Sequence, residues 1–132
     1  MTKAETVAGV YIKECIITEY QNTIITSNQN NANYSTGIGG IVGNIQDGNS
    51  EIINSCNIGN VNGKLSAVGI VGTVSGAAWS AELNTNINNC YNIGEISAEN
   101  ISEGIVGKQD TVSNKNYLYI NNSYCIGVVN GK

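Results

Sequence analysis

The chain has 132 residues and a net charge of −4, from 6 lysines and 10 acidic residues. It contains no histidine and no arginine, so Ser-His-Asp triads, Cys-His pairs and histidine-containing zinc sites are excluded. The acidic balance also argues against a nucleic-acid partner, because phosphate binding needs a basic face.

Composition predicts strands rather than helices. The sequence has 16 Gly, 19 Ile and 22 Asn, and neither Pro nor Phe. Isoleucine favours strands, while Asn and Gly favour turns and disfavour helix interiors. No segment has a sustained apolar period of 3.6, so we expect a single all-β domain.

Residues 1–36 are interpreted as an N-terminal cap or a degenerate coil. Ile12-Lys13-Glu14-Cys15 resembles Ile87-Asn88-Asn89-Cys90, but the glycine that follows the second segment has no counterpart. The chain has neither a signal-peptide pattern at Met1 nor a run of 18 apolar residues, so we expect no membrane insertion.

Residues 37–132 repeat a two-part motif three times. Its first part is Gly-Ile-Val-Gly, beginning at Gly40, Gly69 and Gly104 and ending at Gly43, Gly72 and Gly107. Its second part is Asn-x-x-x-Ile-Gly-x-(Val/Ile), which contains Asn54, Ile58 and Gly59; Asn89, Ile93 and Gly94; and Asn122, Ile126 and Gly127. Ile52, Ile87 and Ile120 form a further apolar position of the repeat.

The period is 35 residues from Gly59 to Gly94 (94 − 59) and 33 from Gly94 to Gly127 (127 − 94). This period is typical of solenoids, in which each repeat buries its apolar face against its neighbours. We therefore predict a β-solenoid, or β-helix, with repeats at 37–64, 65–98 and 99–132. We also expect the native protein to continue in one or both directions.

Each repeated residue type has a structural interpretation. The glycines fit corners that need a positive φ or a close approach of two chain segments. The asparagines fit left-handed corners or side-chain amide ladders between stacked repeats. Ile58, Ile93 and Ile126 are expected to form one inward stack.

The segments that vary in length, 44–51, 73–86 and 108–119, are interpreted as surface loops on one side. Their aromatic residues Trp79, Tyr117 and Tyr119 are speculative ligand-binding residues, since tyrosine and tryptophan can stack on sugars or pack a loop.

Neither the cysteines nor the acidic residues indicate a catalytic or metal site. Cys15, Cys56, Cys90 and Cys125 include no C-x-x-C pair and occupy different repeat positions, so we expect free structural thiols. The spacing of Asp47, Glu95, Glu99, Glu103 and Asp110 selects no catalytic carboxylate pair. We expect no enzyme activity, no cofactor and no metal.

The segment Asn89-Cys90-Tyr91-Asn92-Ile93-Gly94-Glu95-Ile96, preceded by Gly69-Ile70-Val71-Gly72, resembles the GLUG-type repeat. That repeat belongs to bacterial surface proteins, including adhesin-like proteins and regions attached to immunoglobulin A peptidases. The resemblance implies an extracellular, secreted or wall-attached stalk, spacer or display region. Its partners would be neighbouring repeats of the same chain and surface glycans or proteins of a host or bacterium. The alternative is a carbohydrate-binding or polysaccharide-processing β-helix with its site on the variable loops.

Overall fold

The computed structural model is all-β, without helix in the residues that it describes. These are residues 38–46, 49–75, 82–110 and 116–131, together with the backbone of the strands within residues 6–27. We group the strands into four consecutive layers of the chain.

Layer 1 contains β1 (Thr6–Val7), β2 (Tyr11–Lys13), β3 (Ile16–Ile17) and β4 (Ile24–Ser27). Layer 2 contains β5 (Val42–Gln46), β6 (Ser50–Ile53), β7 (Cys56–Asn57) and β8 (Asn60–Gly63). Layer 3 contains β9 (Ser66–Val68), β10 (Val71–Ser75), β11 (Leu83–Asn88), β12 (Tyr91–Asn92) and β13 (Ile96–Ser97). Layer 4 contains β14 (Ile101–Glu103), β15 (Val106–Asp110), β16 (Asn116–Asn121), β17 (Tyr124–Cys125) and β18 (Val129–Asn130).

Every layer supplies one strand to each of four parallel sheets. Sheet A has the order β1-β5-β10-β15, sheet B β2-β6-β11-β16, sheet C β3-β7-β12-β17 and sheet D β4-β8-β13-β18. Sheet E contains β9 and β14, and Gly39 forms a parallel bridge to Val68 of β9. This stack of parallel strands is compatible with a β-helix.

The strand register places residues at matching positions of the sequence motif side by side. Ile87 is paired with Ile52 on one side and with Ile120 on the other. Ile96 is similarly paired with Val61 and Val129. In parallel sheets such positions lie about 4.8 Å apart, so one apolar row runs through the layers at each of them.

The core of the described residues has two apolar clusters. The first lies between sheets A and B and is built mainly from Ile41, Val42, Ile45, Ile52, Ile70, Val71, Val74 and Ile87. The second joins sheets D and E through Ile38, Val61, Ala67 and Ile96. Layers 2 and 3 each contribute residues to both clusters.

The expectation of an inward stack at Ile58, Ile93 and Ile126 is wrong. These side chains are 37%, 41% and 67% exposed, whereas the preceding residues Asn57 and Asn92 are fully buried. Side chains alternate in direction along a strand. Because the asparagine takes the inner position, the isoleucine after it points outward.

The variable segments are also more regular than expected. The strands of sheet A extend to Gln46, Ser75 and Asp110, and those of sheet B begin at Ser50, Leu83 and Asn116. The register pairs Gln46, Ser75 and Asp110 and then Ser50, Thr85 and Leu118, so the difference in length falls within residues 47–49, 76–84 and 111–117, which include the first two residues of β11 and β16. Tyr117 and Tyr119 consequently lie on strand β16, and not on a loop.

Candidate functional site

A ladder of side-chain amides runs through the interior at sheet C. The Nδ2 group of Asn57 donates to the carbonyl oxygen of Gly59 at 2.8 Å and to Oδ1 of Asn92 at 2.7 Å. In the next layer, Nδ2 of Asn92 donates to the carbonyl oxygen of Gly94 at 2.8 Å and to Sγ of Cys125 at 3.5 Å. Asn57 Oδ1 is buried without a hydrogen-bond partner in the described part of the chain, so the ladder ends there.

The first glycine of each Gly-Ile-Val-Gly segment faces this ladder. A Cβ atom on Gly40 would lie 2.7 Å from Cγ of Asn57, and one on Gly69 would lie 2.6 Å from Cγ of Asn92. A Cβ on Gly104 would approach Cβ of Cys125 to 2.5 Å. None of these three glycines has φ in the left-handed range, so close approach is what requires glycine here.

A second row of asparagines forms the corner between sheets B and C. Asn54, Asn89 and Asn122 have φ of 50°, 53° and 47°, so they form left-handed corners, which is one of the two interpretations that the sequence leaves open. Nδ2 of Asn89 donates to Oδ1 of Asn54 at 3.1 Å. These side chains are exposed, and the row therefore presents amide groups at the surface.

The residue after each corner turns inward and bonds the carbonyl group two positions before it. Oγ of Ser55 donates to Ile53 at 2.8 Å, Oγ of Ser123 to Asn121 at 2.8 Å, and Sγ of Cys90 to Asn88 at 3.3 Å. Burial raises the pKa of the Cys90 thiol. Cys90 thus has the role that serine has in the adjacent layers.

The three cysteines within the described residues are free thiols, as the sequence analysis expects. Cys56 and Cys90 are buried, and Cys125 is half-buried. Cys15 lies outside the described residues. Sequence reasoning did not find the role of Cys125, which takes the position of Asn57 and Asn92 in the amide ladder.

A pair of stacked tyrosines lies on the outer face of sheet C. The rings of Tyr91 and Tyr124 have centroids 5.5 Å apart and an interplanar angle of 9°. A hydrogen bond with Cys56 raises the pKa of Tyr91. Tyr91 and Tyr124 stand three residues before Gly94 and Gly127, and this shared position is the signal in the sequence from which the pair could have been found.

The sequence-predicted binding residues are only partly placed. Tyr117 and Tyr119 are 41% and 47% exposed and point to the same outer side of β16. Trp79 lies outside the described residues, so no contact between it and the tyrosines is established. The two tyrosines are paired in register with Asn84 and Asn86, and tyrosine and asparagine side chains therefore share this face.

The acidic residues that the structure describes do not gather into a centre. Oε1 of Glu95 accepts a hydrogen bond of 2.9 Å from Asn130, and Glu99 lines an open depression of about 350 Å³ that also touches Lys64 and Ser97. Asp47 lies outside the described residues. Within the described ranges, no group of three His, Cys, Asp or Glu residues could hold a metal ion.

Comparisons with known proteins give no relative. No family model, curated protein or solved structure matches the chain. Among the described residues, no helix has the length and apolar character that crossing a membrane would require.

Proposed function

We propose that the chain is a β-solenoid of three repeats with an atypical N-terminal coil. Its function would be that of a non-enzymatic structural or adhesive module, namely a stalk, spacer or display region. The observation that carries this proposal is the inner ladder from Asn57 to Asn92. In this ladder, the repeated polar groups of the sequence form hydrogen bonds that hold one layer to the next.

Other polar contacts between layers support the same role. The backbone N–H groups of Asn84 and Glu95 donate to the side-chain oxygens of Asn49 and Asn60, each at 2.9 Å. Both contacts link residues 35 apart in the chain. An arrangement of this kind can be lengthened by adding layers, because each layer interacts only with its neighbours.

The location and the partners belong to the same proposal. The resemblance of residues 37–132 to GLUG-type repeats supports a location on a bacterial surface or in a secreted protein. Surface glycans or proteins would then be its partners. Exposed amide rows such as Asn54 and Asn89 offer such partners donors and acceptors at a regular spacing.

A carbohydrate-binding role is the second candidate. It is favoured by Tyr117 and Tyr119, which are both exposed and point to one side of β16. An exposed aromatic ring can stack on the apolar face of a sugar while its hydroxyl group makes a hydrogen bond. Hydrogen bonds from the surrounding amide groups would fix the orientation of the bound sugar.

Insertion of a second copy of residues 65–98 after residue 98 tests the scaffold function. A stacking module should accept the extra layer, become longer by about 5 Å in small-angle scattering, and unfold at a higher temperature. The matched control carries Asn89→Ala and Asn92→Ala within the inserted copy, and it should gain less stability. Loss of the fold on insertion of the unaltered copy would contradict a modular scaffold.

A glycan array separates the two candidate functions. Wild type and the Tyr117→Ala/Tyr119→Ala double variant are compared, with Tyr124→Ala as a control on another sheet. Specific binding that only the double variant loses would favour the carbohydrate-binding role. Absence of binding by wild type would favour the scaffold.

A further inference from the structure

The outer side of sheet C carries two apolar rows that run along the stack. Side chains alternate in direction along a strand, so the residues before and after the buried Asn57 and Asn92 point outward. One row contains Cys56, Tyr91 and Tyr124, and the other contains Ile58, Ile93 and Ile126. Members of a row are about 4.8 Å apart, and the two rows are about 6.6 Å apart along each strand.

These rows are exposed in the middle of the stack as well as near its end. Ile93 belongs to layer 3, which has a described layer on each side, and it is nevertheless 41% exposed. Tyr124 is 53% exposed, and its ring stacks on that of Tyr91. A further layer would lengthen this face without covering it, because these side chains point sideways from the stack. The exposure therefore follows from the direction of the side chains and not from the position of a chain end.

The face is also uncharged. Residues 56–59, 91–94 and 124–127 include no Lys, Asp or Glu, although the chain has 6 lysines and 10 acidic residues. The exposed amide row that contains Asn89 borders the face on one side. On the other side lies Glu95, whose carboxylate accepts a hydrogen bond from Asn130. Depletion of charge and enrichment of tyrosine distinguish the core of a protein interface from other surface.

The charge and the spacing of the rows favour a second copy of the chain as the occupant. Two copies of net charge −4 repel each other, and this repulsion is smallest where the uncharged faces meet. When two sheets pack face to face, the side chains of one fit between those of the other. A second copy supplies rows with the same repeat of about 4.8 Å along the stack. The bordering amides carry both donors and acceptors, so they too match their own kind.

We propose that the outer face of sheet C in layers 2 to 4 binds the same face of a second copy. The contact is isologous, and Ile93 lies near its centre because layer 3 is the middle of the three layers. Contacts that bury less than about 1,200 Å² are weak and transient, so we expect a dissociation constant on the order of 0.1 mM. The inference does not depend on the proposed scaffold or carbohydrate-binding function.

Sedimentation equilibrium of the 132-residue protein at concentrations around that value is the first test. The average mass should rise from the 13.9 kDa of the monomer toward that of a dimer as the concentration increases. A protein that stays monomeric throughout would overturn the proposal and leave the face to a different partner or to none. Growth beyond the dimer would also contradict it, because an isologous contact closes after two copies.

Added salt distinguishes apolar pairing from pairing of charged faces. Screening reduces the repulsion between the two acidic copies, so dimerisation should be equally strong or stronger in added sodium chloride. Association that salt weakens would show that oppositely charged groups meet at the contact, and sheet C would then not be the interface.

Substitutions on two outer faces locate the contact. Ile93→Asp places a carboxylate at the centre of the proposed interface and should weaken dimerisation at least about tenfold, because an unpaired charge there must be desolvated. The matched control Tyr119→Asp adds the same charge on the outer side of β16, at a similar exposure of 47%, and should dimerise like wild type. Circular dichroism confirms the fold of each variant, and Ile126→Asp takes the place of Ile93→Asp if the latter does not fold. Dimerisation of the folded sheet C variant at wild-type strength overturns the proposal.

A cysteine cross-link tests the position of the centre. In Ile93→Cys the introduced thiols of two copies should lie within reach of each other, so diamide should produce a covalent dimer on a non-reducing gel. Wild type gives the background from the native cysteines, and Tyr119→Cys is the matched control. If Tyr119→Cys formed as much covalent dimer as Ile93→Cys, the contact would not be centred on sheet C, and the proposal would fail.

Discussion

The side-chain amide of Asn57 donates a 2.7 Å hydrogen bond to Oδ1 of Asn92 in the next layer, and both side chains are fully buried. Burying an amide is costly unless it is hydrogen-bonded. The bond between these two residues, with their bonds to Gly59 and Gly94, satisfies both Nδ2 groups and Oδ1 of Asn92. Oδ1 of Asn57 has no hydrogen-bond partner among the described residues. The Asn57–Asn92 bond also fixes which residues of adjacent layers stand opposite each other.

Cys125 ends this ladder, and its replacement by asparagine should extend it. In Cys125→Asn the new oxygen can accept the hydrogen bond of Asn92 in place of sulfur, which is a weak acceptor. We expect the free energy of unfolding to rise by about 1 kcal/mol, measured by urea denaturation. Cys125→Ala is the control and should be less stable than wild type. An asparagine variant no more stable than the alanine variant would contradict the ladder role.

Gly69 should not tolerate a side chain. In Gly69→Ala, the Cβ atom would lie 2.2 Å from the carbonyl oxygen of Gly104 and 2.6 Å from Cγ of Asn92. We expect a loss of about 3 kcal/mol or more, comparable to severe overpacking, as a lower midpoint in thermal unfolding. Gly131→Ala is the matched control, because its nearest neighbours are 3.7 Å away. Equal stability of the two variants would show that the close approach is absent.

Asn89 should contribute to the stability of the fold mainly through its backbone conformation. Its φ of 53° costs an alanine about 1–2 kcal/mol, whereas glycine adopts this region freely. Asn89→Ala should therefore lower the free energy of unfolding by more than Asn89→Gly does. If the two variants lost the same stability, the exposed amide bond to Asn54 would be the main contribution instead.

Cys90 should make the fold sensitive to alkaline pH. Burial raises its pKa above the ordinary value of 9.0, so the unfolded chain releases this proton first. The free energy of unfolding should be constant below that value and fall as the pH rises from there through the raised pKa of the folded protein. Urea denaturation at several pH values measures this slope.

Cys90→Ser is the control for the alkaline effect. It should fold, because Ser55 and Ser123 make the same bond in the adjacent layers, and its alkaline slope should be smaller. An unchanged slope would assign the effect to other groups, such as Tyr91, whose pKa is also raised.

A charged substitution should strongly lower the stability of the protein at Ile96 and change it little at Ile93. Ile96 is fully buried while Ile93 is 41% exposed. Ile96→Asp should unfold the protein, at a cost of several kcal/mol for a buried unpaired carboxylate, whereas Ile93→Asp should melt within a few degrees of wild type. Circular dichroism on heating compares the two. Unfolding by Ile93→Asp alone would reverse the assignment of inner and outer faces.

Sequence by itself determined that the chain is built from strands, and it aligned residues that the register later pairs, such as Ile52, Ile87 and Ile120. It also indicated the left-handed corners at Asn54, Asn89 and Asn122. These properties follow from local preference and from periodicity, and both can be read along the chain.

Only the tertiary structure decided which side chains point inward. At Asn57 and Ile58 the polar residue is buried and the apolar residue is exposed. This is the reverse of the arrangement that side-chain hydrophobicity alone predicts. The reason is that Gly40, on the opposite wall, leaves room for one side chain, and the amide placed there finds its partner in the next layer. Such a partner is 35 residues away in the chain. Burial depends on that pairing and on contact across the core, which no local pattern contains.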